Sequence, residues 1–129
     1  MKKVLIIEDE ESAIEVLHYN IKRRGYSVEI ARCGEDGLNK IFSSSPDIIL
    51  LDIKLPDIDG WEILQQMNSR GISETKVIIV SAAAQKSDLE RAEAQNVSLY
   101  ITKPFDLQKL MESIAQLALN STDTQKLQL

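Results

Sequence analysis

Three short runs constrain this chain more than anything else in it: Val4-Leu-Ile-Ile7, Ile48-Ile-Leu-Leu51 and Val77-Ile-Ile-Val80. Each is unbroken apolar sequence, rich in β-branched residues. A strand with one face in water alternates polar and apolar side chains. A strand that is apolar at every position is buried on both faces, and such strands belong to parallel sheets covered by helices. Two further strand-like runs are weaker. Val28-Glu-Ile30 alternates within Ser27 to Ala31, and Ser98 to Ile101 is short and opens on a serine. Helix-length segments separate all five. The pattern predicts a parallel sheet with helices on both faces, the three apolar strands inside and the two weaker ones at the edges.

With right-handed crossovers, edges at the second and fifth strands favour the order 2-1-3-4-5. This is an α/β, (βα)5 flavodoxin-like three-layer sandwich. The first strand spans about Lys3 to Ile7. The first helix starts near Ser12, with Glu15 completing a capping box; it carries Ile14, Leu17 and Ile21 on one face and ends at Gly25. The second helix runs from about Glu35 to Phe42 and closes at Ser43-Ser-Ser-Pro46. Asp59, with Glu62 three residues on, caps a third helix from Gly60 to about Ser69, and Gly71 stops it. The fourth strand is Lys76 to Val80. The fourth helix starts near Ser87, with Glu90 three places on, and fades at Asn96, whose side chain tolerates a left-handed cap. The fifth helix starts at Asp106, with Phe105 and Leu110 spaced as a hydrophobic staple. At 129 residues the chain is one domain's worth. We assign that domain to residues 1–119, with 120–129 as a polar tail or the start of a linker.

Composition excludes several classes. The net charge of −5 argues against direct nucleic-acid binding. The single cysteine, Cys33, cannot form an internal disulfide, which fits a reducing compartment. The Met1-Lys-Lys start resembles a signal peptide, but Glu8-Asp-Glu-Glu11 cuts its apolar run short. No stretch approaches a membrane span. The expected location is cytoplasmic.

The chemistry gathers where the strands end. In open parallel sheets, ligands bind at the carboxyl ends of the strands, beside the point where strand order reverses. The first residues beyond the strands are Glu8 and Asp9, then Asp52, then Ser81, then Thr102-Lys103-Pro104. Asp52 would be a helix cap in most proteins, but Asp59 is better placed for that. Glu10 and Glu11 read as acids favouring the start of the first helix. Three close carboxylates repel unless a cation joins them. Oxygen-only ligands suit Mg2+ or Mn2+. A divalent cation plus a lysine is also what a phosphoryl group needs to balance its charge. The parts describe a Mg2+-dependent phosphoryl-transfer site with a carboxylate acceptor. His18 and Trp61 read as packed or solvated helix residues, and Cys33 as a spectator thiol.

Taken together, Ile7-Glu8-Asp9-Glu10, Leu50-Leu-Asp52, Leu55-Pro56 with Asp59-Gly60, Val80-Ser81-Ala82 and Thr102-Lys103-Pro104-Phe105 resemble the receiver domains of two-component response regulators. The resemblance covers about residues 2 to 118. It implies that Asp52 accepts a phosphoryl group from a phosphohistidine of a sensor histidine kinase or phosphotransfer protein. It implies that Glu8, Asp9, Asp52 and the main-chain carbonyl of Lys54 hold Mg2+, and that Lys103 pairs with Asp52 and then with the phosphoryl group. Ser81 would move to bond the phosphoryl group and Tyr100 would rotate inward behind it, changing the face made by helix 4, strand 5 and helix 5. A downstream protein or output domain would read that face. The chain would be a monomer or a weak phosphorylation-dependent dimer, and would catalyse only its own phosphorylation and dephosphorylation. The Lys103-Pro104 bond is expected to be cis. Departures from the family are Glu8 where Asp is commoner, and Asn96-Val97 where Gly-Ala is usual. Asp57 is expected to add negative charge near the site. Rival readings are an aspartyl-phosphate phosphohydrolase, for which a cap insertion is lacking, a flavin or nucleotide module, for which a phosphate cradle is lacking, and a degenerate receiver acting only as a binding module.

Overall fold

Strand pairing sets the architecture. In the computed structural model, which describes residues 1–119, β1 (Lys3–Ile7), β2 (Ser27–Ala31), β3 (Ile48–Leu51), β4 (Lys76–Ser81) and β5 (Leu99–Thr102) form one sheet. Its order is β2-β1-β3-β4-β5, and every pair is parallel. The expected tail or linker at 120–129 lies outside the described residues. Between the strands run α1 (Glu11–Arg23), α2 (Gly34–Ser44), α3 (Gly60–Ser69), α4 (Lys86–Ala94) and, at the end, α5 (Leu107–Leu119).

The continuously apolar strands are buried on both faces because each face is covered. Leu5, Ile7, Ile49, Leu51, Val77 and Ile79 pack against α2, α3 and α4 through Leu38, Ile41, Trp61, Leu64, Met67 and Ala92. Val4, Ile6, Ile48, Leu50, Ile78 and Val80 pack against α1 and α5 through Leu17, Ile21, Leu110 and Ile114. Each four-residue run divides its side chains between the two cores, as the period of two requires. Strand β2, at the edge, is mostly half-buried. No helix among the described residues is long and apolar enough to cross a membrane.

Helix starts differ from the sequence reading. Helix α1 begins at Glu11 with Glu10 as N-cap and no side-chain cap, so the Ser12–Glu15 capping box does not form. The chain turns into the helix directly off β1, because the Glu10 N–H donates to Glu8 Oε2 at 3.0 Å. Helix α4 begins at Lys86 rather than Ser87. Its N-cap is Gln85, whose N–H donates to Asp88 Oδ2 at 3.0 Å. Helix α2 begins at Gly34 and extends to Ser44, with Ser45 in the left-handed region at φ 48°. The expected caps elsewhere are present. Asp59 Oδ1 accepts from the Glu62 N–H at 3.0 Å and Asp106 Oδ1 from the Lys109 N–H at 3.1 Å. Asn96 is left-handed at φ 64°.

Candidate functional site

One extra ladder bond per strand holds the site residues. Ile7 pairs with Leu51 at the end of β1 and β3. One residue further on, the Asp52 N–H donates to the Ile7 carbonyl at 3.0 Å and the Glu8 N–H to the Ala31 carbonyl at 3.0 Å. At the other side Ser81 pairs with Thr102, and the Lys103 N–H donates to the Ser81 carbonyl at 2.9 Å. Glu8, Asp52, Ser81 and Lys103 therefore leave the sheet from backbone that is still hydrogen-bonded to it. The Lys103-Pro104 bond is cis.

These side chains meet in a cleft of about 490 Å3, whose walls also include Asp9, Glu10, Lys54 and Ala82. Glu8, Asp52 and Ser81 are buried; Asp9 is exposed at the rim. Each of Glu8, Asp9 and Asp52 places a carboxylate oxygen within 4.8 Å of the other two. Lys103 Nζ stands 2.7 Å from Glu8 Oε1, 3.1 Å from Asp52 Oδ2 and 3.5 Å from Glu10 Oε1. Asp52 Oδ1 also accepts from the Lys54 N–H at 3.3 Å. Burial raises the pKa of Glu8; Lys103 and the Glu10 N–H pull it back, and the Asp52 charge adds to the rise. Burial disfavours the Lys103 ammonium, but Glu8 and Asp52 outweigh it and the pKa is raised.

The donor set is compatible with Mg2+ or Mn2+: three carboxylates, oxygen only, two of them buried. The hydrogen bonds already made by Glu8 and Asp52 do not exclude a cation, because each carboxylate oxygen carries two lone pairs. Ser81 Oγ accepts from the Ala83 N–H at 3.3 Å. The Tyr100 hydroxyl, half-buried with its pKa raised chiefly by burial, donates to the Ala83 carbonyl. Ser81 and Tyr100 thus hold the same loop between β4 and α4.

Two features escaped the sequence reading. Glu10, read as a plain helix acid, reaches Lys103. Asp57, expected to add negative charge near the site, is not among the residues that line the cleft. Its carboxylate accepts the Gly34 and Glu35 N–H groups at 2.7 and 2.8 Å, 23 and 22 residues away, at the start of α2. Sequence offers no signal for a cap supplied from another loop. Trp61 is buried with the Arg91 guanidinium 4.8 Å from its ring centre. Cys33 is a free, half-buried thiol at the N-cap of α2. Neither they nor His18 line the cleft.

Comparison with known proteins places this geometry. Residues 4–115 match the family model described as response regulator receiver domain. The alkaline phosphatase synthesis transcriptional regulatory protein PhoP of Bacillus subtilis is 36% identical over 104 residues, which is 81% of this chain and 43% of PhoP. The matched stretch thus spans less than half the length of that regulator. Among solved structures, a CheY-like response regulator receiver domain protein from Methanospirillum hungatei superposes with a TM-score of 0.90 at 28% identity, covering 97% of this chain and 99% of that one. The response regulator TrrA of Thermotoga maritima, solved in complex with Mg2+ and BeF, superposes with a TM-score of 0.79 at 31% identity, covering 91% of this chain and 99% of that one. With the β2-β1-β3-β4-β5 sheet and the acidic cleft at its carboxyl edge, the match over residues 4–115 identifies the chain as a member of the response regulator receiver domain family of two-component systems.

Proposed function

We propose that Asp52 is the phosphoacceptor, taking a phosphoryl group from a phosphohistidine of a sensor histidine kinase or phosphotransfer protein. One observation carries the reading: the buried Asp52 carboxylate stands 3.1 Å from Lys103 Nζ while sharing a cluster with Glu8 and Asp9. An Asp52 oxygen attacks phosphorus, the P–O bond forms as the P–N bond to histidine breaks, and the imidazole nitrogen regains its lone pair. Glu8, Asp9, Asp52 and the Lys54 main-chain carbonyl would hold Mg2+ or Mn2+, which supplies positive charge for the phosphoryl oxygens. Lys103 moves from the carboxylates to a phosphoryl oxygen and offsets the roughly two negative charges that phosphorylation brings. Ser81 gives up the Ala83 N–H and donates to the phosphoryl group. Tyr100, tied to the same loop, carries the shift to the α4–β5–α5 face, where a downstream protein or output domain reads it.

In this reading residues 1–119 are the receiver and 120–129 a tail or linker. The chain works in the cytoplasm and catalyses only its own phosphorylation and dephosphorylation. Incubation with a small phosphodonor such as acetyl phosphate is expected to label the protein in a Mg2+-dependent way, and Asp52→Asn is expected to abolish labelling. Label surviving in Asp52→Asn moves the acceptor elsewhere. A wild-type chain that never labels supports the binding-module reading, and turnover of a phosphate ester supports the phosphohydrolase.

A further inference from the structure

The loop joining β3 to α3 is fastened outside the cleft as well as inside it. At its base the Gly60 N–H donates to the Ile53 carbonyl at 2.8 Å. At its outer edge the two Asp57 oxygens take the first two N–H groups of α2. Helix α2 has no cap from its own N-cap residue, Cys33. The contact is close: a Cβ on Gly34 would stand 2.7 Å from the Ile58 carbonyl oxygen and 2.4 Å from Ile58 Cγ1. Between these fastenings runs Lys54, which lines the cleft and donates its N–H to Asp52 Oδ1.

The geometry points to Asp57 as a positioning residue for the metal-binding edge of the cleft: by fastening the loop to α2 it holds the Lys54 main chain against Asp52, and Mg2+ affinity depends on that hold. The inference rests on the phosphoacceptor reading above. Only Leu55 and Pro56 separate Lys54 from Asp57, so freedom at the outer anchor passes along a short segment into the cleft. The Glu35 and Gly34 N–H groups hold the Asp57 carboxyl at a pKa of about 2, so it is ionised at neutral pH and its bonds are charge-assisted. A residue that only capped α2 would alter stability. A residue that positions Lys54 also alters metal binding, because partners one step behind the ligands orient them.

The test is Mg2+ binding measured by calorimetry on the full chain, without phosphodonor. Asp57→Ala is expected to weaken Mg2+ binding about tenfold, the scale typical for such supporting residues. Asp57→Asn keeps one acceptor oxygen and is expected to fall between that variant and wild type. Lys40→Ala is the control. It removes the bonds of Lys40 Nζ to the Ile30 carbonyl and Asp36, loosening α2 without touching the loop, and is expected to leave the Mg2+ Kd unchanged. Equal Kd values for wild type and Asp57→Ala would overturn the inference, as would an equal loss in Lys40→Ala. Should Asp57→Ala fail to fold, an unchanged Kd in Asp57→Asn overturns it instead. A wild-type chain that binds no Mg2+ removes the phosphoacceptor reading itself, and this inference with it.

Discussion

Lys103 faces three carboxylates, and the shortest contact is to Glu8 at 2.7 Å rather than to Asp52 at 3.1 Å. The extra methylene of a glutamate lets this carboxylate arch over to the lysine while its second oxygen takes the Glu10 N–H. Side-chain identities at strand ends name Glu8, Asp9, Asp52, Ser81 and Lys103 as neighbours from sequence alone, because the ends of four strands, β1, β3, β4 and β5, fix where these five residues go. The same logic does not reach the bonds of Asp57, whose partners are the first two N–H groups of α2. Its protonation is open to direct test. Backbone N–H bonds lower its pKa from 3.8 to about 2. A carboxylate with a depressed folded-state pKa contributes stability that is present above its unfolded pKa and lost as pH falls through the folded one. Urea unfolding of wild type and Asp57→Asn is therefore expected to show a constant stability gap down to about pH 4, closing as the pH approaches about 2. A gap that stays constant across that acid window would mean the ionised carboxylate is not what stabilises.

Helix α2 carries two glycines that a helix would ordinarily be better without, and each is held by a different neighbour. A Cβ at Gly34 would meet the Ile58 carbonyl oxygen at 2.7 Å, a backbone atom fixed by the Asp57 anchor. A Cβ at Gly37 would meet side-chain atoms only, Ile7 Cδ1 at 2.8 Å, Cγ2 at 3.0 Å and Cγ1 at 3.2 Å, in a core where Ile7 is fully buried. Gly34→Ala is expected to cost about 2 kcal/mol, the usual scale of overpacking. In Gly37→Ala the crowding falls on a side chain rather than on backbone, and a helix-propensity gain of about 1 kcal/mol offsets part of it, so the net loss is expected to be smaller. Denaturant unfolding that ranks the two variants equally would count against fixed backbone as the cause. The N-caps at Glu10 and Gln85 have a related origin. The Asp59 and Asp106 caps were readable because the acceptor and the N–H it takes lie three residues apart in sequence. Ser12 and Ser87 satisfy the same rule, yet neither is the N-cap. In α1 the backbone turns off β1 at Glu8 and Glu10 before Ser12 is reached, and in α4 Gln85 takes the N-cap two residues before Ser87.

At the scale of the whole molecule, the sheet order was legible because three strands are apolar on both faces and two are not, and only one common parallel topology puts strands 2 and 5 at its edges. That order brings the ends of β1 and β3 together and concentrates acid on one side of a chain with net charge −5. Folding therefore works against the repulsion of Glu8, Asp9 and Asp52, with Lys103 offsetting part of it. A cation that binds only the folded cluster stabilises the molecule by mass action. At a hundredfold its Kd, Mg2+ would add about 2.7 kcal/mol, or roughly 10 °C in Tm for a domain of this size. Asp9 separates this effect from simple packing, because it is exposed while Glu8 and Asp52 are buried. Asp9→Asn is expected to leave the metal-free Tm unchanged or raised, since one of three like charges is gone, and to lose most of the Mg2+-induced rise. Thermal unfolding with and without Mg2+ measures both numbers on one sample. If Asp9→Asn keeps the full Mg2+ increment, the ion binds without the carboxylate at the rim, and the three-acid site is wrong.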